Sequence, residues 1–229
     1  MKFLIYFSFL FLIIPSFNFK TQSLDYDALT GATTTPGGGG GGYEDELSEA
    51  IEYYFPYKWL IEIIDRTENL NRRNDEGFTP LLLIIEKNSK KRDQLIQYLL
   101  RKGAYAHTFD NYGISGLHLT IFKNFPTTFA LLLKNGADPD FKNINGDTPL
   151  HYAVNQSVYY DEESSEEKKD SLLEMMEILL EEMEDPFTRN AQGKTVLSLA
   201  KEQSEKNTFT KIVYENIKDL YEELNGVSK

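Results

Sequence analysis

One short phrase, repeated in phase, restricts what this chain can fold into more than any other feature. It opens on a glycine, carries Ser or Thr two residues later and Leu two residues after that. The copies are Gly77-Phe78-Thr79-Pro80-Leu81, Gly113-Ile114-Ser115-Gly116-Leu117, Gly146-Asp147-Thr148-Pro149-Leu150 and Gly193-Lys194-Thr195-Val196-Leu197. The first two intervals are 36 and 33 residues; the third is 47, one 33-residue period plus 14 inserted residues. An apolar segment precedes each copy: IEII at 61–64, QYLLRKGA at 97–104, ALLLKNGADP at 130–139 and EILLEEMEDP at 177–186. A unit this short cannot bury its own apolar face, so several must stack to build one continuous core.

The stretch 135–153, NGADPDFKNINGDTPLHYA, shows the local chemistry. An apolar helix end (Ala130 to Leu133) stops at Gly136, which tolerates the left-handed position beyond a helix. Asn145-Gly146 supplies a tight turn. Thr148 can cap the free amides of the next helix, and Pro149 suits its first position, where no donor is needed. With its Thr-Pro-Leu-His-x-Ala ending and a period of about 33 residues, GDTPLHYA at 146–153 resembles the ankyrin repeat family. The GADP just upstream is similar to the end of a preceding unit in that family.

The resemblance implies an all-α, ankyrin-type helix-turn-helix solenoid with short hairpin loops. Residues 44–229 then form the repeat domain, with units near 44–73, 74–109, 110–142, 143–189 and 190–222. Helical pairs are expected at 45–54 and 57–66 (a capping pair), near 79–87 and 93–101, and near 195–203 and 208–222. Leu47, Ile51, Trp59, Leu60, Ile63 and Ile64 face the second unit. The pattern also departs from the family. Gly116 and Val196 replace Pro at two helix starts, so capping should be less sharp there. Met183-Glu184 stands in place of Gly-Ala, and Leu82 and Ser198 stand where His is usual. The insertion, 157–170, contains five acidic residues within 161–167. It reads as a solvated loop, with Lys168-Lys169-Asp170 opening a lengthened outer helix. It serves either as a binding loop or as padding, since added loop length costs little.

The two ends differ from the repeats. Met1-Lys2 and the twelve-residue apolar run FLIYFSFLFLII, broken by Pro15, read as a signal peptide over 1–19. A membrane span needs roughly 18 or more apolar residues, although an uncleaved anchor remains the alternative. Residues 20–43, with six glycines from Gly37 to Gly42, read as a disordered linker. It is not a phosphate loop, because no Gly-Lys-Ser/Thr ending follows. The chain contains no Cys, which removes any disulfide or thiolate-metal argument. Asn155-Gln156-Ser157 matches the glycosylation triplet.

Chemistry is hard to find in the pattern. His118 and His151 share one slot, 33 residues apart. The resemblance implies that this histidine hydrogen-bonds within and between repeats rather than holding a metal. His107 has no Cys or acidic partner at ligand spacing. No serine has a His-Asp arrangement around it, and no cofactor is implied. The net charge of −12 argues against nucleic acid. Lys87, Lys90, Lys91 and Arg92 form a local basic cluster, read as a solvated turn. The expected function is therefore non-catalytic protein binding by an exported chain, with no membrane contact unless residues 1–19 stay as an anchor. A purely structural repeat and an enzyme with an unrecognised site are the alternatives. By resemblance, recognition falls on the hairpin tips and the concave side. That maps onto Asp75, Glu76, Phe78, Asn111, Tyr112, Ile114, Ile144, Asn145, Asp147, Gln192 and Lys194. Phe78, Tyr112, Ile114 and Ile144 form either an aromatic and apolar contact strip or packing between neighbouring hairpins.

Overall fold

The structure is a computed structural model that describes residues 46–87, 91–160 and 162–224. The expected signal peptide at 1–19 and linker at 20–43 lie outside these residues, as does Lys90. Ten helices occur among the described residues: α1 (Glu46–Glu52), α2 (Tyr57–Arg66), α3 (Pro80–Lys87), α4 (Arg92–Arg101), α5 (Gly116–Lys123), α6 (Pro126–Lys134), α7 (Pro149–Ser157), α8 (Glu166–Glu182), α9 (Val196–Gln203) and α10 (Thr208–Leu224). None is long and apolar enough to cross a membrane.

The odd-numbered helices pack one on the next as an inner layer, and the even-numbered ones pack as an outer layer. The central inner helices α3 and α5 are squeezed between two neighbours and the outer layer, so they are apolar almost all round. Pro80 to Ile85 and Gly116 to Ile121 are buried without a break. Outer helices bury only a stripe, as in Leu95, Ile96 and Leu99 of α4 or Leu172, Met175, Met176, Leu179 and Leu180 of α8. Fully buried Phe129 and Leu132 on α6 belong to the same core.

A hydroxyl starts each inner helix of the four repeats. Leu82 N donates to Thr79 Oγ1 at 3.4 Å, His118 N to Ser115 Oγ at 3.5 Å, His151 N to Thr148 Oγ1 at 3.4 Å and Ser198 N to Thr195 Oγ1 at 3.2 Å. The expectation of weaker capping at Gly116 and Val196 is therefore corrected. At α5 the cap is reciprocal, because Ser115 N also donates to His118 Nδ1 at 3.2 Å. Pro is dispensable there, and a small residue is needed instead: a Cβ on Gly116 would meet Leu132 Cδ1 at 2.9 Å. In the insertion, the described residues between Ser157 and Glu166 are non-helical, and the lengthened outer helix opens two residues earlier than expected. Ser165 is extended at the N-cap and α8 begins at Glu166. Its first two residues, Glu166 and Glu167, complement the positive end of the helix, so Lys168 to Asp170 lie inside it rather than opening it.

Between the layers of one unit and the next, the chain makes a hairpin whose glycine has a positive φ, +71° at Gly146 and +74° at Gly193. The two differ in their surroundings. A Cβ on Gly146 would sit 2.5 Å from Ala191 N of the next hairpin, whereas nothing lies within 4 Å of one on Gly193. Gly193→Ala is expected to cost only the left-handed penalty, roughly 1–2 kcal/mol. Gly146→Ala should cost about 3 kcal/mol or more, since the next hairpin must also move. Urea unfolding of the two variants checks this, and equal losses would contradict the stacking argument.

Candidate functional site

Each hairpin is organised by one side-chain oxygen. Asn74 Oδ1 accepts from Glu76 N and Phe78 N at 3.1 and 2.8 Å, and Asp110 Oδ1 accepts from Tyr112 N and Ile114 N, both at 2.8 Å. Asn143 Oδ1 takes Asn145 N and Asp147 N at 2.9 and 3.1 Å, and Asn190 Oδ1 takes Gln192 N and Lys194 N, both at 3.0 Å. The acceptor always stands three residues before the hairpin glycine. That spacing was visible in the sequence, yet these residues served there only as unit boundaries. The tips then join into a ladder: Asn111 N donates to Glu76 O at 3.2 Å, Ile144 N to Tyr112 O at 3.1 Å and Ala191 N to Asn145 O at 3.0 Å.

Two histidines tie the inner helices to this ladder. His118 Nδ1 bonds Ser115 Oγ at 2.8 Å and its Nε2 reaches the Asp147 carbonyl of the next unit at 3.2 Å. His151 repeats the arrangement, with Thr148 Oγ1 at 2.9 Å and the Lys194 carbonyl at 3.0 Å. A carbonyl only accepts, so Nε2 carries the proton in both rings and Nδ1 is the acceptor. Burial pushes the His118 pKa down to about 4, against a smaller upward pull from the Asp147 carbonyl. Burial also lowers that of His151, partly opposed by the Lys194 carbonyl and the Asp147 carboxylate. Both rings are neutral structural bridges.

The residues singled out for recognition divide into two groups. Asp75, Glu76, Asn111, Asn145 and Gln192 are exposed on the tips, as are Tyr112 at 64% and Ile144 at 67% of full exposure. The ladder brings Tyr112 and Ile144 to adjacent tips. Phe78 and Ile114 are half-buried against the core, so the packing alternative holds for these two. Asp147 is buried, contrary to its expected place on the surface: its carboxylate accepts from Asn190 Nδ2 at 2.8 Å. These three residues each follow the hairpin glycine, where the chain turns inward to start the helix. Lys194 in the same slot is half-buried and pairs with Glu202 of α9. That pair ties the slot to the inner helix of the same unit. In the third unit the equivalent positions are Ile114 and Phe122, and Phe122 is 53% exposed. Leu83 and Leu119, with half-buried Tyr152, occupy the matching inner-helix slot one residue after the histidine position. The His118 and Tyr152 rings meet edge to face, with centroids 5.4 Å apart.

A family model described as three copies of the ankyrin repeat matches residues 89–161, and a single-repeat model matches residues 145–191. Residues 89–191 belong to the ankyrin repeat family. It is 35% identical over 79 residues to the putative ankyrin repeat protein YahD of Escherichia coli (strain K12), a match covering 33% of this chain and 39% of that protein. It is 30% identical over 95 residues to the NF-kappa-B inhibitor delta of Mus musculus, across 41% of this chain and 28% of that one. The neurogenic locus notch homolog protein 1 of Homo sapiens is 32% identical over 93 residues, 41% of this chain and 4% of its own length. The chain therefore spans well under half the length of each of these relatives. Ankyrin repeats generally mediate protein–protein interaction and are typically non-catalytic.

Within the ankyrin units the remaining candidates have structural positions. His107 Nδ1 accepts from Asp138 N at 3.4 Å, and the edge of its ring packs on Phe141, with centroids 4.9 Å apart. No group of three His, Asp or Glu side chains suited to a metal occurs among the described residues. Of the basic cluster, Lys91 is exposed with its ammonium 4.5 Å from the Tyr57 ring centroid, while Lys87 and Arg92 are half-buried, Arg92 lying 3.4 Å from the Phe125 ring centroid. The Asn155-Gln156-Ser157 triplet lies in α7, with Asn155 Oδ1 bonded by Gln203 Nε2 at 2.7 Å and Ser157 fully buried, so the folded domain does not present it.

The bridging role predicts a pH dependence. The folded pKa of His118 lies below the unfolded value of 6.5, so its contribution is complete above pH 6.5 and is lost as pH falls from there to about 4. At roughly 1.4 kcal/mol per pKa unit, the loss is on the order of 3 kcal/mol. His118→Gln should flatten the fall of unfolding free energy across that window, and NMR should show a neutral Nε2–H ring above pH 5. A His118 ring titrating near 6.5 would contradict the bridge.

Proposed function

We propose that this chain is an exported, non-catalytic binding protein that recognises a protein partner on the groove between its hairpin tips and inner helices. The observation carrying the proposal is the pair Tyr112 and Ile144, 64% and 67% exposed, on adjacent tips hydrogen-bonded to each other. Bulky side chains held in the open on a rigid ladder suit anchoring better than solvation, because aromatic and large apolar anchors dominate interface energies. Phe122, exposed near the C-terminal end of α5, offers a further apolar side chain. Family membership supports the general role, and the partner is of this chain's own choosing. Export is supported by the apolar run at 3–14 behind Lys2.

Truncating an exposed tip residue leaves no core cavity, so Tyr112→Ala with Ile144→Ala should keep the wild-type melting temperature. Each should weaken a partner captured from the source organism by about 1 kcal/mol or more. Ile114→Ala, half-buried, is expected to lower the melting temperature as well. Titration of the captured partner decides the matter, and full affinity in the double variant would move the site off the groove. Residues 1–19 fused to a reporter should direct it to the secretory route. A mature chain that keeps Met1 in the cytosol would remove export from the proposal.

A further inference from the structure

The exposed tips are not alike in charge. In the second unit they are Asp75 and Glu76; in the others they are Asn111 and Tyr112, Ile144 and Asn145, and Ala191 and Gln192. The carboxylates thus lie at one end of the apolar strip. There they meet α1 across an open crevice of about 210 Å³ lined by Ser48, Glu49, Glu52, Asn74, Asp75 and Glu76. No ion pair among the described residues involves Asp75, Glu76 or Glu52. The nearby Arg73 is committed elsewhere: its Nε donates to the Gly77 carbonyl at 3.0 Å and its guanidinium lies 5.0 Å from the Phe109 ring centroid. Further along, the groove is electrically balanced. Lys123 pairs with Glu86 at 2.9 Å, and Lys194 pairs with Glu202.

Resting on the groove reading above, we infer that the partner presents an unfolded or loop segment with bulky apolar side chains and a cationic end. The apolar part lies on Tyr112, Ile144 and Phe122, and the Lys or Arg end enters the crevice at Asp75 and Glu76. Helices stack at roughly 8–10 Å, so two units separate the carboxylates from Ile144 by about 20 Å. An extended chain covers that in about six residues. The charge end sets the direction in which the segment lies, because like charge there is rejected and rim charges steer encounter.

The test is a random dodecapeptide library selected on the full chain, followed by titration of a synthetic enriched peptide. Enriched sequences should carry Lys or Arg about six residues from a bulky apolar pair. Affinity should fall about tenfold in Asp75→Asn/Glu76→Gln, and the residual binding should lose salt dependence. That variant keeps the ladder, which uses only the carbonyls of Asp75, as acceptor from Asn111 Nδ2, and of Glu76, as acceptor from Asn111 N. Affinity should also fall about tenfold in Tyr112→Ala/Ile144→Ala. Peptides weakened only by the Tyr112 and Ile144 changes would overturn the cationic segment while leaving the groove standing. Peptides indifferent to both variants, or no enrichment, would overturn the groove reading itself.

Discussion

Everything in the repeat part depends on how a tight hairpin satisfies its own backbone. Four amides point into each turn, and a buried or half-buried N–H without a partner costs about as much as a lost hydrogen bond. The side-chain oxygen of Asn74, Asp110, Asn143 or Asn190 takes two of them, and the backbone takes the rest, as in Gly146 N to Asn143 O at 2.8 Å and Asn143 N to Asp147 O at 3.0 Å. That leaves the N–H of the first tip residue and the carbonyl of the second available along one edge. That edge is what the next hairpin uses, through a single backbone bond per step. Asp and Asn serve equally because the oxygen only accepts. An apolar side chain at this position would leave the turn without its centre, and a Ser or Thr hydroxyl would fill the role more weakly.

The second tie between units is less regular, and its variation orders the stack. His118 and His151 each reach a carbonyl of the following unit, so the third, fourth and fifth units are bridged twice over. In the second unit the slot holds Leu82, which is fully buried but has no donor to offer. There Thr79 and Thr108 hydroxyls meet at 3.1 Å instead, within a single period. In the last unit Ser198 folds back on the Thr195 carbonyl at 2.9 Å, which suits a unit with nothing beyond it to bridge among the described residues. Histidine works in this slot because its two nitrogens lie on opposite sides of one rigid ring. One completes the cap and the other spans the gap, and neutrality is secured by the burial that the bridge itself creates.

The sequence made the helices legible because their signals are local. A hydroxyl, a Pro or Gly and an apolar run sit within a few residues of each other, and the observed α3, α4 and α9 begin within one residue of where that chemistry places them. Part of what escaped was decided by groups distant along the chain. Asp147 looks like a surface carboxylate until Asn190, 43 residues on, is folded against it. Phe78 and Ile114 differ from Tyr112 by only a step or two, and the turn inward after the glycine separates core from surface. Gly116 looked like a weak cap because the compensating partner is a histidine ring rather than a backbone rule. In the acidic insertion only the helix start differs, at Glu166 rather than Lys168, because carboxylates in a first turn favour a helix.

These same bonds bear on how a groove of this kind recognises anything. Binding loses free energy for every backbone and side chain it must order, and that loss often decides affinity more than area does. Tyr112 and Ile144 sit on a backbone already fixed at both ends, by the keystone oxygens beneath and by the ladder between them. An aromatic ring with two rotatable bonds on such a base has little left to lose. The longer-armed residues of the groove are likewise settled, Lys123 on Glu86 and Lys194 on Glu202, so their freedom is spent in folding rather than in binding. The turn that satisfies its own amides is therefore also what makes a few exposed side chains able to act as anchors. Changes to Asn143 or Asp110 would loosen the tips that the proposed site relies on, without altering any of its exposed side chains.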